Sequence, residues 1–344
     1  MAPISDVRAW TVVGTLAKAT SLVGLRRRWV EPGAVAHAAR RASDDQRPEN
    51  MYARRFAAHL AQCSTGDRKA LEAARSQMGD DAGVVERAVA SGAPVPAVAA
   101  LAAAWDGLPA IAKEVIRDPA GGSTPGPVMW GKVRAAQMDR KTCGAAVLAM
   151  VVLISDPLVT LWLMTGRTLA EHVPPELARL GRDASRARTV EARWHALQRA
   201  LHREVTKQAY FVAPWPRALG TPPWRIGAVA RCADVRWRGT VVDDTDPGEM
   251  RAMAAHASAA LADGIPVTMI TGGDLSRGPR QAFPRHVVLM TSHTRDGFVV
   301  YEPSSGARHL LREKDLVRNS TPHPALGRWS RINGFVLPRP RRRR

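Results

Sequence analysis

Ten consecutive residues, Ala145 to Ile154, carry no polar side chain. Alanine, leucine and methionine favour helix, and a helix that is apolar on every face has no side to turn to water. This segment is therefore predicted to be a central, fully buried helix of nearly three turns, around which the rest must be arranged. Ahead of it runs Gln137-Met-Asp-Arg-Lys-Thr-Cys143-Gly144. Thr142 is a plausible N-cap, its hydroxyl able to accept from first-turn N–H groups, so the helix opens at Cys143–Gly144. A cysteine there sees the positive end of the helix dipole and unpaired N–H groups, and both favour thiolate over thiol. Gln137 is close enough upstream to fold back and aim its amide where the Cys143 N–H points. Two donors directed at one point make an oxyanion hole. Free cysteines on apolar helices are also common as inert core, so the reading needs a base.

Pro284 to Leu311 supplies one. His286-Val-Val-Leu-Met reads as a strand, Thr294-Arg-Asp-Gly297 as a turn, and Phe298 to Tyr301 as the returning strand. A loop centred near 294 or 295 puts Glu302 directly or diagonally across from His286, within side-chain reach. Its carboxylate can hold one ring nitrogen while the other faces the cleft, as in a triad. Cys143, His286 and Glu302 are then nucleophile, base and orienter.

Gln137-x-Asp-x-x-x-Cys143-Gly-x-Ala, together with His286-Val-Val-Leu and Glu302-Pro-x-x-Gly, resembles the C39-like branch of the papain-like cysteine peptidases. The resemblance covers about residues 130–337 and is specific at its two ends. It implies an α+β fold with the nucleophile helix packed on an antiparallel sheet. It also implies a Cys143–His286–Glu302 triad, with Gln137 in the oxyanion hole. The family usually has Asp where this chain has Glu302, and an acidic residue is common where Thr142 stands. Substrate contacts are expected at Gly144, at Gly272 and Gly273 in the loop leading to His286, and at Trp224, for which core packing is the competing role. The implied activity is that of a cysteine peptidase or amidohydrolase acting on a peptide or protein substrate through a thioester. The same site could serve a transamidase, cyclase or deamidase, and a catalytically silent Arg-rich binding protein is the reading outside enzymes.

Composition sets the surroundings. At 45% hydrophobic and 24% charged the chain is globular, with a net charge of +19. Only seven of its 50 basic residues are lysine, so Arg-rich faces allow non-specific contact with nucleic acid or anionic surfaces. Three cysteines (63, 143 and 232) form no complete disulfide set and point to a reducing, cytoplasmic location, or to export without a signal peptide. Trp10 to Leu25 is interrupted by Lys18 and lacks a cleavage site, and no stretch is long enough to span a bilayer.

Residues 1–118 read as a helical N-terminal region, with helices over 34–42, 51–61, 67–78, 84–90 and 95–116. Residues 119–129 are a Gly/Pro/Ser linker, 130–337 the catalytic domain, and 338–344 a basic tail. Gly121-Gly122 in the linker invites a self-processing reading beside that of a plain hinge. Gly126 to Val133 nearly spells a phosphate-binding loop, but Val133 lacks the Mg²⁺-holding hydroxyl and no strand precedes it. No metal or cofactor is expected. Arg186 to Gln208 reads as a basic amphipathic surface helix with Trp194, Leu197 and Leu201 inward and its histidines solvated.

Overall fold

The computed structural model describes residues 11, 14, 15, 50–207, 220–278, 282–318 and 321–339. The helix predicted over 34–42, most of the stretch 10–25 and the tail beyond 339 lie outside the described residues. The described chain is α+β. Five helices come first: α1 (Met51–Leu60), α2 (Thr65–Met78), α3 (Ala82–Ala90), α4 (Val95–Trp105) and α5 (Ala110–Arg117). Asn50 and Ser64 start the first two by accepting first-turn N–H groups with their side chains. The single helix expected over 95–116 is two, because Pro109 offers no N–H and its ring clashes with the preceding turn. These helices bury Phe56, Leu71, Val85, Leu101 and Ile116 in one cluster with Leu158 and Leu161.

Those two leucines belong to α7 (Pro157–Thr165), which follows the central buried helix α6 (Cys143–Ser155) at a bend of 109°. The bend is local chemistry. Asp156 leaves helical geometry, accepts from Leu158 N–H at 2.9 Å, and Pro157 opens the new helix. Of α6, every residue except Ile154 is buried, as its composition demands. No single helix among the described residues is long and apolar enough to cross a membrane.

The first helices do more than precede α6. Arg87 donates to Ile154 O at 2.7 Å and Ser91 Oγ to Ser155 O at 2.8 Å, so side chains of α3 and its C-terminal turn satisfy carbonyls at the end of α6. A cation there also complements the negative end of the α6 dipole. Arg231 then binds Asp156 and Glu176 together, at 2.7 and 2.6 Å. The expected linker is likewise held. Asp118 accepts from the N–H groups of Ala120, Gly121 and Gly122, and Arg308 donates to Gly122 O. The Gly121-Gly122 pair thus sits in a closed turn, both residues at positive φ.

Strands β1 (Gly126–Pro127), β2 (Met129–Trp130) and β3 (Val133–Arg134) lead to α6. After α7 come α8 (Pro175–Ala178), α9 (Arg182–Arg186), α10 (Val190–Thr206), α11 (Pro223–Val229), β4 (Trp237–Val241) and α12 (Pro247–Ala262). Then follow β5 (Val267–Gly272), β6 (Pro284–Thr294), β7 (Gly297–Glu302), β8 (Ala307–Leu311), α13 (Glu313–Val317) and β9 (Arg331–Pro338). Seven strands form one sheet, in the order β1-β8-β7-β6-β5-β9-β4, and every pairing is antiparallel. Val287, Val288, Leu289 and Met290 are all buried in succession, so both faces of β6 are covered. Helices α6 and α12 each pack on that strand. The helix that opens at Cys143 therefore lies against the strand that carries His286.

Candidate active site

Cys143 occupies the first position of α6, as expected, but Thr142 does not cap the helix. Its hydroxyl faces backwards, donating to Asp139 O and accepting from Asp139 N–H, which closes the 139–142 turn. The first intrahelical bond runs from Ala146 N–H to Thr142 O. The N–H groups of Cys143, Gly144 and Ala145 therefore lie outside the helical ladder at the sulfur.

The loop ahead of the cysteine is clamped from two sides. Trp194 Nε1 on α10 donates to Ala136 O at 2.6 Å, and Gln198 on the same helix brackets Gln137. The Gln198 oxygen accepts from Met138 N–H at 3.0 Å and its nitrogen donates to Ala136 O at 3.3 Å. From the sheet side, Gln137 N–H donates to Pro303 O at 2.7 Å, one residue past Glu302. Gln137 itself gives a side-chain N–H to Asp139 O at 2.7 Å, within its own loop, and its buried Oε1 accepts no hydrogen bond from the described residues. Gln198 is a positioning residue absent from the sequence reading. Its signal was a polar residue one turn beyond Trp194 on the inward face of α10. That helix also differs from expectation in burying Arg193 and His202. Arg193 donates to Leu163 O and Met164 O, closing the C-terminal end of α7.

His286 and Glu302 meet through a register that the turn alone does not produce. The hairpin pairs Thr294 with Gly297, so an unbroken ladder would set His286 opposite residue 305, on the other face from Glu302. Instead the register shifts by one residue between Met290 and Ser292, leaving Thr291 as the extra residue of a bulge. Leu289 pairs with Tyr301, which puts His286 and Glu302 diagonally opposed on one face. His286 Nε2 donates to Glu302 Oε1 at 2.7 Å. Cys143 is near enough to the ring to act on its pKa, and Nδ1 is the nitrogen left free to face it.

Glu302 is fully occupied. Oε1 also accepts from Ser304 N–H and Oε2 from Ser305 N–H, both at 2.8 Å. The turn after β7 thus fixes the longer side chain that stands where aspartate was the commoner choice. On the opposite side the ring is walled by Gly327, which follows the turn Pro324–Leu326 and has φ +67°. A Cβ built there would lie 2.2 Å from His286 Cδ2. Thr271, cross-strand partner of His286, anchors that turn by donating to Leu326 O at 3.0 Å.

Burial by itself would lower the His286 pKa. Cys143 and the bond to Glu302 outweigh it and raise the value to about 9. Burial would raise Glu302, but the bonds from His286, Ser304 and Ser305 bring it down to about 2. The sign of the linkage follows. The stability that His286 contributes is complete below about pH 6.5 and is lost as pH rises through about 9. That of Glu302 is present above about pH 4.5 and is lost as pH falls through about 2. Thermal denaturation across pH is expected to show a decline in Tm between about pH 6.5 and 9 that moves to lower pH in Cys143→Ala, which loses one support of the imidazolium. An alkaline limb identical in the two proteins would contradict the coupling.

The expected substrate contacts land in different settings. The space a side chain on Gly144 would need is filled by Thr221, whose Oγ1 lies 2.5 Å from a built Cβ. At Gly272 it is filled by Phe283 O and Asn333 Oδ1, at 2.6 and 2.7 Å. Both glycines admit the protein's own atoms to the neighbourhood of the site, and Gly273 is buried beside the second. Trp224 on α11 is 54% exposed, so core packing is not its role. His293 stacks on Phe298 and bonds Ser258, and no contact ties it to Cys143, His286 or Glu302 among the described residues. Among the described residues no three His, Cys, Asp or Glu side chains converge as a metal site.

The class that this fold and site define is an α+β protein with a buried Cys–His–Glu constellation at a helix mouth. Compared with family models, curated proteins and solved structures, the chain matches none.

Proposed function

We propose that this chain is a cysteine peptidase or amidohydrolase of the papain-like, C39-like kind, acting on a peptide or protein substrate. The observation that carries the reading is His286, bonded to the Glu302 carboxylate and near enough to Cys143 for the two to raise its pKa to about 9, which favours imidazolium at neutral pH. The helix-on-antiparallel-sheet arrangement of α6 and β6 supports the same kinship.

In the reaction, Cys143 Sγ attacks the substrate carbonyl carbon and its oxygen takes up negative charge. The Cys143 N–H and the remaining Gln137 N–H are the donors for that oxyanion. His286 passes its proton to the departing amine as the C–N bond breaks, leaving a thioester on Cys143. Water then attacks the thioester, its proton passing to His286, and the C–S bond breaks to release the carboxylic acid and leave the sulfur and a protonated His286 as they began. Glu302 keeps the ring in one orientation and stabilises its charge throughout.

Alkylation order provides the test. Cys63 is half-buried and Cys143 is buried, so accessibility alone makes Cys63 the faster thiol. With limiting iodoacetamide near neutral pH, mass spectrometry is expected to find Cys143 modified first, and modification is expected to abolish peptide or amide hydrolysis. If Cys63 is labelled while Cys143 stays unmodified, the nucleophile assignment is wrong.

A further inference from the structure

The turn that fixes Glu302 is itself held by a side chain that the hydrolytic chemistry does not use. Residues 303–306 join β7 to β8, and this turn touches both halves of the site. Its Ser304 and Ser305 N–H groups bind the Glu302 carboxylate. On its other side Pro303 O accepts from Gln137 N–H at 2.7 Å, and Gly306 O from Val128 N–H at 2.9 Å. A drift of the turn would therefore move the carboxylate and the loop ahead of Cys143 together.

One side chain reaches back over this turn. Glu302 pairs with Ala307 across the hairpin, so His309 lies diagonally opposite Glu302 on the same face. His309 Nε2 is 3.3 Å from Ser305 Oγ. The hydroxyl has one proton and gives it to Glu302 O at 3.3 Å, so the ring nitrogen is the donor and the serine oxygen the acceptor. A line of bonds then runs from His309 to Ser305, from Ser305 N–H to Glu302 Oε2, and from Glu302 Oε1 to His286. Burial holds the His309 pKa below its ordinary value, with the Glu302 charge pulling it up and Arg134 pushing it down. The ring is thus neutral at neutral pH, and its partner sets which nitrogen carries the proton.

We propose that His309 is a positioning residue for the triad: by locking Ser305 it holds the Glu302 carboxylate, and through it the His286 ring, in the orientation that acylation needs. The inference rests on the peptidase reading above and adds one more side chain to its site. Bonds of 3.3 Å are long and individually weak. Their effect comes from where they act, because the turn they tie carries both Glu302-binding N–H groups, and reacting groups are sensitive to small displacements.

The test is a double-mutant cycle of His309→Leu and Ser305→Ala. Leucine removes the donor, and alanine removes the hydroxyl but keeps the N–H that binds Glu302. In His309→Leu, kcat with an activated peptide ester is expected to fall about tenfold with KM within about twofold, part of the hundredfold that an ångström's displacement costs. His309→Gln, whose amide nitrogen can stand in for Nε2, is expected to recover most of the rate. In a Ser305→Ala background the loss from His309→Leu should shrink to within about twofold, because the bond it breaks is already gone. His293→Leu, at a histidine of the same sheet without contact to the triad, is expected to leave kcat within about twofold.

A second readout needs no turnover. With Cys143 replaced by alanine, the NMR titration of the His286 ring follows its bond to Glu302 without the sulfur, and His309→Leu is expected to lower the midpoint by about half a pH unit. Should His309→Leu not fold, Ser305→Ala carries the same two expectations. Losses that simply add across the cycle, or a His286 midpoint that stays in place, overturn the proposal whether or not the chain is a peptidase. A midpoint that falls as expected in a chain that acylates with no substrate upholds the line from His309 to His286 while the peptidase reading fails.

Discussion

Gly327→Ala is expected to slow acylation of Cys143 at least about a hundredfold while leaving the chain folded. Alanine at this position meets two obstacles. The backbone is at φ +67°, where an L side chain costs about 1 kcal/mol. The new methyl would sit 2.2 Å from His286 Cδ2 and 2.7 Å from Nε2, far inside contact distance. Either the Pro324–Leu326 turn withdraws or the ring tilts by about an ångström, and a displacement of that size at a reacting group costs about two orders of magnitude. Because the turn is tied to the sheet by Thr271, the ring is the part expected to yield. Rates with an activated peptide ester, alongside a circular-dichroism melt, make the measurement. A variant that melts within a few degrees of the parent and keeps a third of its rate would mean that Gly327 does not hold His286.

The second large effect is expected at Glu302→Gln, with a loss of about 10⁴-fold in kcat, as when a triad carboxylate becomes an amide. The carboxylate accepts three hydrogen bonds through its two oxygens, from His286, Ser304 and Ser305. An amide keeps only one oxygen. Whichever way it turns, an NH₂ faces either the His286 Nε2–H or the Ser305 N–H, donor against donor. The His286 pKa should fall from about 9, because one of the two groups that raise it is gone. The alkaline limb of activity, where imidazolium is lost, then moves to lower pH. Ring-proton titration by NMR in both proteins reads this directly. A His286 pKa unaltered by the substitution would remove Glu302 from the triad.

Several of these features were legible in the chain and several were not, and the division has a physical cause. The buried helix followed from Ala145 to Ile154, since ten apolar residues in helical register leave no face for solvent. The His286 strand, its turn and the returning strand were likewise readable from β-branched runs around Thr294–Gly297. Thr142 shows where local reasoning ended. The position was that of an N-cap, but the 139–142 turn competes for the same hydroxyl and takes it. The linker over 119–129 had the composition of a hinge, yet Asp118 and Arg308 hold it through bonds that composition does not register.

Sequence alone determined which residues could do chemistry: a thiol at the mouth of an apolar helix, and an imidazole and a carboxylate on two arms of one hairpin. Tertiary structure decided whether they meet. That depended on one unpaired residue at Thr291, which restores the parity bringing His286 and Glu302 to the same face. It depended also on Gln198 gripping the residues either side of Gln137, and on a missing methyl at Gly327. The last two are interactions between segments far apart in the chain, and the first is a register that the turn of the hairpin does not fix. Strand register and van der Waals contact are set by what lies opposite a residue, which local propensity cannot encode.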